Sequence, residues 1–230
     1  MIPLGVLGSS QVAAGGPWTP ASLALTAWFD AADAATITSS AGKVSQWADK
    51  SGNGYHLTQA TDSLRPVTGT RTLNGLNVVD FTADILARTG LTIGSPVTVA
   101  LVGALDTVAS YHYFGTLNTA TSSAAIGHGD AQKWTAYNGA LLYGSARDLN
   151  PHVLVGVFNG AASSLRVDSA STTGNTGSGT HNGITLGSLD GGTTFGIDGF
   201  IAEYIVATGV LTGPQIDSLA GYLKTKWGTP

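Results

Sequence analysis

Residues 96–104 read PVTVALVGA and residues 152–158 read HVLVGVF, and both runs are apolar on the two faces that an extended chain presents. Short continuous apolar runs of this kind are typical of central strands in a sheet that is covered on both sides. Residues 200–208 (FIAEYIVAT) predict a further strand. These stretches together predict a β fold with a substantial core.

Composition supports one β-rich domain and excludes several classes of protein. The 230 residues include 32 glycines and no cysteine, and only 10% of them are charged. Without cysteine there is no disulfide scaffold, thiol nucleophile or thiolate zinc site. A formal charge of −4 argues against nucleic-acid binding, which needs a basic patch. No apolar run approaches the roughly 18 residues that predict a transmembrane helix, so we expect no membrane insertion.

Turn-forming residues divide the rest of the chain into short elements. Thr212 as N-cap, Pro214 in the first turn and Gly228 as terminator predict a C-terminal helix whose apolar stripe packs on the sheets. Sequence patterns predict strands over residues 23–30, 43–49, 77–82, 163–169 and 183–189, and a flexible loop over residues 171–179.

Residues 1–17 (MIPLGVLGSSQVAAGGP) differ in character from residues 18–230 and are treated as a separate N-terminal arm. The apolar side chains that open the arm are Ile2, Leu4, Val6 and Leu7. A secretory signal would place Lys or Arg before such a stretch, and none occurs there. We expect this arm to dock on another protein, for example at a sheet edge. The alternative is a frayed terminus.

Four stretches of the body occur in a specific order, followed by the helix. They are residues 27–33 (AWFDAAD), 44–56 (VSQWADKSGNGYH), 73–81 (LNGLNVVDF) and 200–206 (FIAEYIV). In this order they resemble the laminin-G-like, concanavalin A-like jelly-roll domains of phage virion proteins and bacterial surface proteins. The resemblance implies an all-β sandwich of two antiparallel sheets with one C-terminal helix. It also implies a glycan-facing or structural module more often than a catalyst.

The opening residues MIPLGVLG resemble the starts of minor tail proteins of phages that infect actinobacteria. This resemblance implies a virion protein that is assembled in the host cytoplasm and binds other virion proteins through its arm. We expect a multimer in the particle, because closed symmetry is usual for homo-oligomers.

Since some concanavalin-type folds are glycosidases, hydrolysis is an alternative. Retaining glycosidases place two carboxyl groups about 5–5.5 Å apart. Glu203 is the only glutamate, and we interpret it as a structural carboxylate bonded to loop amides, while Asp30 and Asp33 fit a turn at a strand end. The five histidines occur without the GxSxG motif of a serine hydrolase. We therefore expect no enzymatic activity.

Asp49, Ser51 and Asn53 belong to a dense turn, residues 49–54 (DKSGNG). Calcium takes about six to eight oxygen ligands. Counted from Asp49, the twelfth position is Ala60 rather than the bidentate glutamate of an EF-hand. We expect a structural turn in which Asp49 accepts amide hydrogen bonds, with no metal or other cofactor. Calcium at this turn is the alternative.

Aromatic residues among small polar ones suit sugar binding, which uses ring faces and amide or carboxylate groups. Such residues concentrate between positions 111 and 143. The predicted glycan-binding residues are Tyr113, Tyr137, Asn138 and Tyr143. Trp134 would point to the other face of its strand from Tyr137. The tryptophans expected to anchor the core are Trp28, Trp47 and Trp227.

These observations lead to a functional hypothesis. The chain is expected to be a non-enzymatic virion structural protein, a phage minor tail protein attached by its arm. Its exposed rim would contact host-surface carbohydrate. A capsid decoration protein is the nearest alternative, and a glycan hydrolase of concanavalin-like fold is the alternative from another class.

Overall fold

The computed structural model describes residues 17–107, 112–120, 123–129, 132–189 and 195–230. The arm residues Ile2, Leu4, Val6 and Leu7 lie outside these ranges. The strands of the described ranges are β1 Leu25–Asp30, β2 Ile37–Ser40, β3 Lys43–Trp47, β4 Leu57–Thr58, β5 Val67–Leu73, β6 Leu76–Thr82, β7 Leu86–Ile93, β8 Val97–Leu105, β9 His112–Thr116, β10 Ala125–His128, β11 Lys133–Tyr137, β12 Leu141–Ala146, β13 His152–Phe158, β14 Ser163–Val167, β15 Ala170–Gly174, β16 His181–Leu186 and β17 Asp198–Thr208. The helices are 3₁₀ turns at Pro20–Ser22, Ala34–Thr36, Asp62–Leu64 and Gly160–Ala162, and the α-helix α1 Gly213–Trp227.

Antiparallel pairing arranges the strands in two layers. The back sheet has the order β15-β14-β13-β8-β17, and the two halves of the long β17 pair on their other side with β6 and β1. The front sheet runs β12-β11-β10-β9-β16-β7-β4-β3-β2. The layers are continuous where β3 meets β5, which extends the back sheet beyond β6. The predicted all-β jelly-roll sandwich is confirmed.

Glycines let the two layers approach closely. A Cβ atom on Gly103 of the back sheet would lie 2.7 Å from the Phe114 ring of the front sheet and 2.6 Å from the carbonyl oxygen of Phe200. A Cβ on Gly156 would lie 2.9 Å from Ile126 across the same interface. The glycines in these strands therefore leave room for large side chains from the opposite layer.

The central strands of the back sheet are covered on both faces. Every residue of β8 and β13 is buried, as their continuous apolar runs predict. The front sheet covers one face, and α1 contacts β8 and β13 on the other. The predicted helix is also confirmed, with a capping box of Thr212 and Gln215 at its start and Gly228 in the left-handed conformation at its end. The buried side chains of α1 are Leu219, Ala220, Leu223 and Trp227.

The predicted flexible loop over residues 171–179 is wrong in its first half. Residues Ala170–Gly174 form β15, which pairs along its whole length with β14 at the sheet edge. A tight turn joins the two strands, with Asp168 at φ 52°. The side chains of β15 are small and mostly exposed, so the strand lacks the apolar alternation that would reveal it in sequence.

No helix in the described part of the chain is long and apolar enough to cross a membrane.

We predict that Gly103→Ala destabilises the fold, because the added methyl group would contact a backbone carbonyl and the Phe114 ring. Overpacking of this kind costs about 1–3 kcal/mol of unfolding free energy. Gly221→Ala is the matched control, since nothing lies within 4 Å of its Cβ position on α1. Alanine in a helix is about 0.5–1 kcal/mol more favourable than glycine. Urea denaturation of both variants tests the prediction, and equal effects would contradict it.

Candidate functional site

Glu203 is fully buried between the back sheet and α1. Its Oε1 accepts hydrogen bonds from Trp28 Nε1 at 2.6 Å and from the Tyr222 hydroxyl at 3.3 Å. Its Oε2 accepts from Lys226 Nζ and Trp227 Nε1, both at 2.7 Å. The prediction that Glu203 bonds loop amides is therefore wrong. Its donors are side chains of β1 and α1, which no local pattern in the sequence brings together.

Asp30 lies opposite Glu203 in the pairing of β1 with β17 and is 4% exposed. Its Oδ1 lies 2.6 Å from Lys226 Nζ, and its Oδ2 lies 2.9 Å from Lys50 Nζ. Lys50 also contacts Asp33 at 2.8 Å. Burial raises the pKa of Glu203 above its ordinary value, although the charge of Lys226 opposes the rise. The network thus pairs three carboxyl groups with two ammonium groups.

Asp30 and Glu203 both contact the Lys226 ammonium group. They are therefore the pair to compare with the two catalytic carboxyl groups of a glycosidase. A glycosidase needs both carboxyl groups in contact with substrate. Here the side chains of Trp28, Tyr222 and Trp227 close around the pair, and neither carboxylate is open to a sugar.

The predicted turn at Asp49 is closed by its own side chain. Asp49 accepts hydrogen bonds from the backbone of Trp28 and Tyr55, and from both the amide and the hydroxyl of Ser51, at 2.8–3.0 Å. Asn53 Nδ2 donates to the carbonyl oxygens of residues 25 and 26 at 3.0 Å. The turn is thereby attached to β1. Within the described ranges, no group of three His, Cys, Asp or Glu side chains is arranged to hold a metal ion.

Two of the predicted glycan-binding residues are buried. Tyr113 is 2% exposed and packs with Ala125 and Leu189, and Asn138 is 1% exposed. The Asn138 side-chain oxygen accepts from the Ser123 hydroxyl at 2.9 Å and from a backbone amide at 3.1 Å. The structure therefore corrects the prediction at Tyr113 and Asn138, because neither side chain reaches the surface.

Tyr137 and Tyr143 remain partly exposed and share one face of the front sheet. Tyr143 pairs with Thr135, two residues before Tyr137, so the tyrosines are diagonal neighbours across β11 and β12. Diagonal positions lie about 7–8 Å apart, within reach of one ligand. Tyr137 packs against the buried Tyr113, which the pairing of Gly127 with Tyr113 and Thr135 places on the same face of the sheet. As predicted, Trp134 is buried and points the other way, stacking on Phe114.

A cleft of about 460 Å³ lies between α1 and the β13–β14 hairpin. It was not anticipated from the sequence, since its residues come from five separate elements, β12, β13, β14, β15 and α1. His152 bonds Asp168 through Nδ1 at 2.6 Å and Asp148 through Nε2 at 2.8 Å. Arg166 pairs with Asp217 of α1 at the same cleft. Burial lowers the pKa of His152, but the two carboxylates outweigh burial and raise it above its ordinary value.

Comparison with known proteins places the fold among domains of carbohydrate-active enzymes. Domain 4 of AbnA, an extracellular GH43 arabinanase from Geobacillus stearothermophilus in complex with arabinotriose, has a TM-score of 0.55 at 12% identity, over 86% of this chain and 98% of that one. An arabinofuranosidase complexed with arabinofuranosyl-α-1,2-xylobiose has a TM-score of 0.59 at 15% identity, over 89% and 60%. Trypanosoma rangeli sialidase with the inhibitor DANA has a TM-score of 0.57 at 12% identity, over 85% and 32%.

At these identities the likeness establishes the fold alone. The chain spans almost the whole of the arabinanase domain, but about a third of the sialidase chain and 60% of the arabinofuranosidase chain. No protein-family model matches the sequence, and a search of curated proteins found no match. The class that the fold defines is a concanavalin-like β-sandwich domain similar to those of glycosidases.

We predict that His152 makes stability depend on pH. Because the pKa of His152 is raised on folding, its contribution is complete below the unfolded pKa of about 6.5 and is lost as pH rises through the folded value. The difference in unfolding free energy between the native chain and His152→Gln should therefore shrink as the pH rises from about 6.5 into the alkaline range. Urea denaturation across this range measures it.

Asp168→Asn is the matched variant for this test, because asparagine tolerates the left-handed backbone at this position. It keeps the turn and removes the charge that holds His152. The same flattening of the pH profile is expected. A difference between native chain and variants that does not change with pH would contradict the assignment.

Proposed function

We propose that this chain is a non-enzymatic carbohydrate-binding domain whose ligand contacts the outer face of the front sheet at Tyr137 and Tyr143. The observation that supports it most directly is the placement of two partly exposed tyrosines as diagonal neighbours on one sheet face. The ring of a tyrosine is an apolar surface for a sugar ring, and its hydroxyl is a hydrogen-bonding group.

The chemistry of this face favours a neutral oligosaccharide. Few charges occur in the chain, and Lys133 is the charged side chain that shares this face of β11 with Tyr137. The fold is similar to that of an arabinanase domain whose structure contains arabinotriose, a neutral sugar. This likeness supports a carbohydrate ligand, and the few charges of the chain favour a neutral one.

The absence of catalysis is part of the proposal. Its support is the enclosure of Asp30 and Glu203, which leaves both carboxylates away from solvent and paired with Lys226. A bound sugar on the tyrosine face would lie on the other side of the sandwich from these groups.

The proposal also includes a location, namely attachment to a virion through the N-terminal arm. Trp18, at the root of the arm, packs edge to face on Tyr222 of α1 with ring centroids 6.0 Å apart. Helix α1 covers the back sheet, whereas Tyr137 and Tyr143 are on the outer face of the front sheet. An arm anchored in a phage tail would therefore leave the tyrosine face free for host glycans. A capsid position is the alternative placement.

We predict that Tyr137→Ala and Tyr143→Ala each weaken oligosaccharide binding about threefold to tenfold, since aromatic contacts contribute about 0.5–1.5 kcal/mol. Tyr55→Ala is the control, a partly exposed tyrosine outside this face. A glycan array that includes arabino-oligosaccharides identifies the ligand, and titration calorimetry measures the affinities. A blank array at high protein concentration, or a ligand whose binding is unchanged in both tyrosine variants, would contradict the proposal.

We predict that deleting residues 2–7 leaves the sandwich folded and abolishes its incorporation into particles, because the core is built from residues after Trp18. Thermal unfolding checks the first expectation, and immunoblotting of purified particles checks the second. Gold labelling of particles that carry the native chain distinguishes tail from capsid. Unchanged incorporation of the shortened chain would remove the arm from the proposal and leave carbohydrate binding untouched.

A further inference from the structure

One amine contacts two carboxylates at a place that the proposed carbohydrate binding does not use. The amine is that of Lys226, and the carboxylates are those of Asp30 and Glu203. Lys226 Nζ lies 2.6 Å from Asp30 Oδ1 and 2.7 Å from Glu203 Oε2. Asp30 is in β1 and Lys226 is in the last turn of α1, 196 residues later. The contact therefore joins the first strand of the sandwich to its last helix.

We propose that Lys226 and Asp30 form an intramolecular isopeptide bond, with Glu203 as the proton-transfer group. The nucleophile would be Nζ of Lys226 and the electrophile the side-chain carboxyl carbon of Asp30. Lys226 Nζ is already within hydrogen-bond distance of both carboxylates, so the nucleophile, the electrophile and the proton-transfer group are brought together by the fold. Effective concentrations in such arrangements are very high, which favours slow condensation reactions.

The surroundings favour an amide over an ion pair. Glu203 is fully buried and Asp30 nearly so, and the rings of Tyr222 and Trp227 lie 5.5 Å and 5.0 Å from Lys226 Nζ. Charges are costly in such a place, whereas an amide is neutral. Burial raises the pKa of Glu203, which makes its carboxylate a better proton acceptor from the neighbouring ammonium group.

The reaction balances without another reagent. The Lys226 ammonium transfers one proton to Glu203, which passes it to the Asp30 carboxylate. The neutral amine attacks the carboxyl carbon and forms the C–N bond. Glu203 then takes a second proton from the nitrogen and delivers it to the departing oxygen, the C–O bond breaks, and one water molecule leaves. An ammonium and a carboxylate have become an amide and water, and Glu203 is regenerated.

Lys50 has a supporting role rather than a competing one. Its Nζ lies 2.9 Å from Asp30 Oδ2, where negative charge develops as the amine attacks. Lys50 is also held at 2.8 Å by Asp33, whose side chain is 37% exposed. The pair of Lys50 and Asp33 is thus open to water, and the buried carboxylate beside it, that of Asp30, is the one that Lys226 attacks.

Mass spectrometry of the full-length chain tests the proposal. Under denaturing conditions the intact mass should be lower than the sequence mass by one water. Trypsin should no longer cut after Lys226, and residues 225–230 should appear linked to residues 1–43. Lys226→Arg keeps the positive charge but should show the full mass of its own sequence. Glu203→Gln should also show its full mass, because it lacks the carboxylate that transfers the protons. Lys224→Arg, at an exposed position of α1 outside the network, is the control that should keep the link.

Asp30→Asn gives a second, independent signature. The Lys226 amine would attack the side-chain amide and release ammonia, so that the variant should lose ammonia instead of water and yield the same linked peptide. Circular dichroism confirms that each variant is folded. A native chain of full mass, a water loss that persists in Lys226→Arg, or a loss mapped to the Asp198-Gly199 step, where a succinimide ring can form, would each overturn the proposal.

Discussion

The burial of a single carboxylate, that of Glu203, is the constraint on which much of the architecture depends. A buried charge costs several kcal/mol unless partners compensate it, and removing one partner of such a group is strongly destabilising. Glu203 obtains its partners from both ends of the fold, with Trp28 on β1 and Tyr222, Lys226 and Trp227 on α1. The position of α1 on the back sheet is therefore fixed by polar contacts as well as by its apolar stripe.

This constraint divides the sandwich into a closed side and an open side. On the closed side, α1 and the Glu203 network cover the back sheet, and the root of the arm at Trp18 packs there. On the open side, Tyr137 and Tyr143 face outward from the front sheet. In the proposed function, anchoring and ligand contact would lie on different layers, so either could change in evolution without disturbing the other.

The sequence predicts elements whose pattern is complete in itself. The runs in β8 and β13 and the stripe, cap and terminator of α1 each need no information from elsewhere, and all three are confirmed. Edge strands such as β15 were missed because their small exposed side chains carry no periodic signal. Of the predicted glycan-binding residues, Tyr113 and Asn138 are buried whereas Tyr137 and Tyr143 are partly exposed, and nothing in the local sequence tells which of these side chains the fold covers.

Contacts between residues that are far apart in the sequence could not be predicted from local sequence patterns, for the same reason. The donors to Glu203 lie 175 residues before it and up to 24 after it, and Asp168 meets His152 only through hairpin pairing. A carboxylate in an otherwise apolar strand is the one signal that could have indicated a buried partner network.

The packing of Trp18 on Tyr222 brings the first described residues next to the last turns of α1. Tension applied between these two ends would act first on this aromatic contact and on the contact of Lys226 with Asp30, which joins α1 to β1. Only afterwards would it reach the hydrogen-bonded strands. The mechanical strength of the domain would then be decided at that corner, while the layer that carries Tyr137 and Tyr143 stayed unstrained.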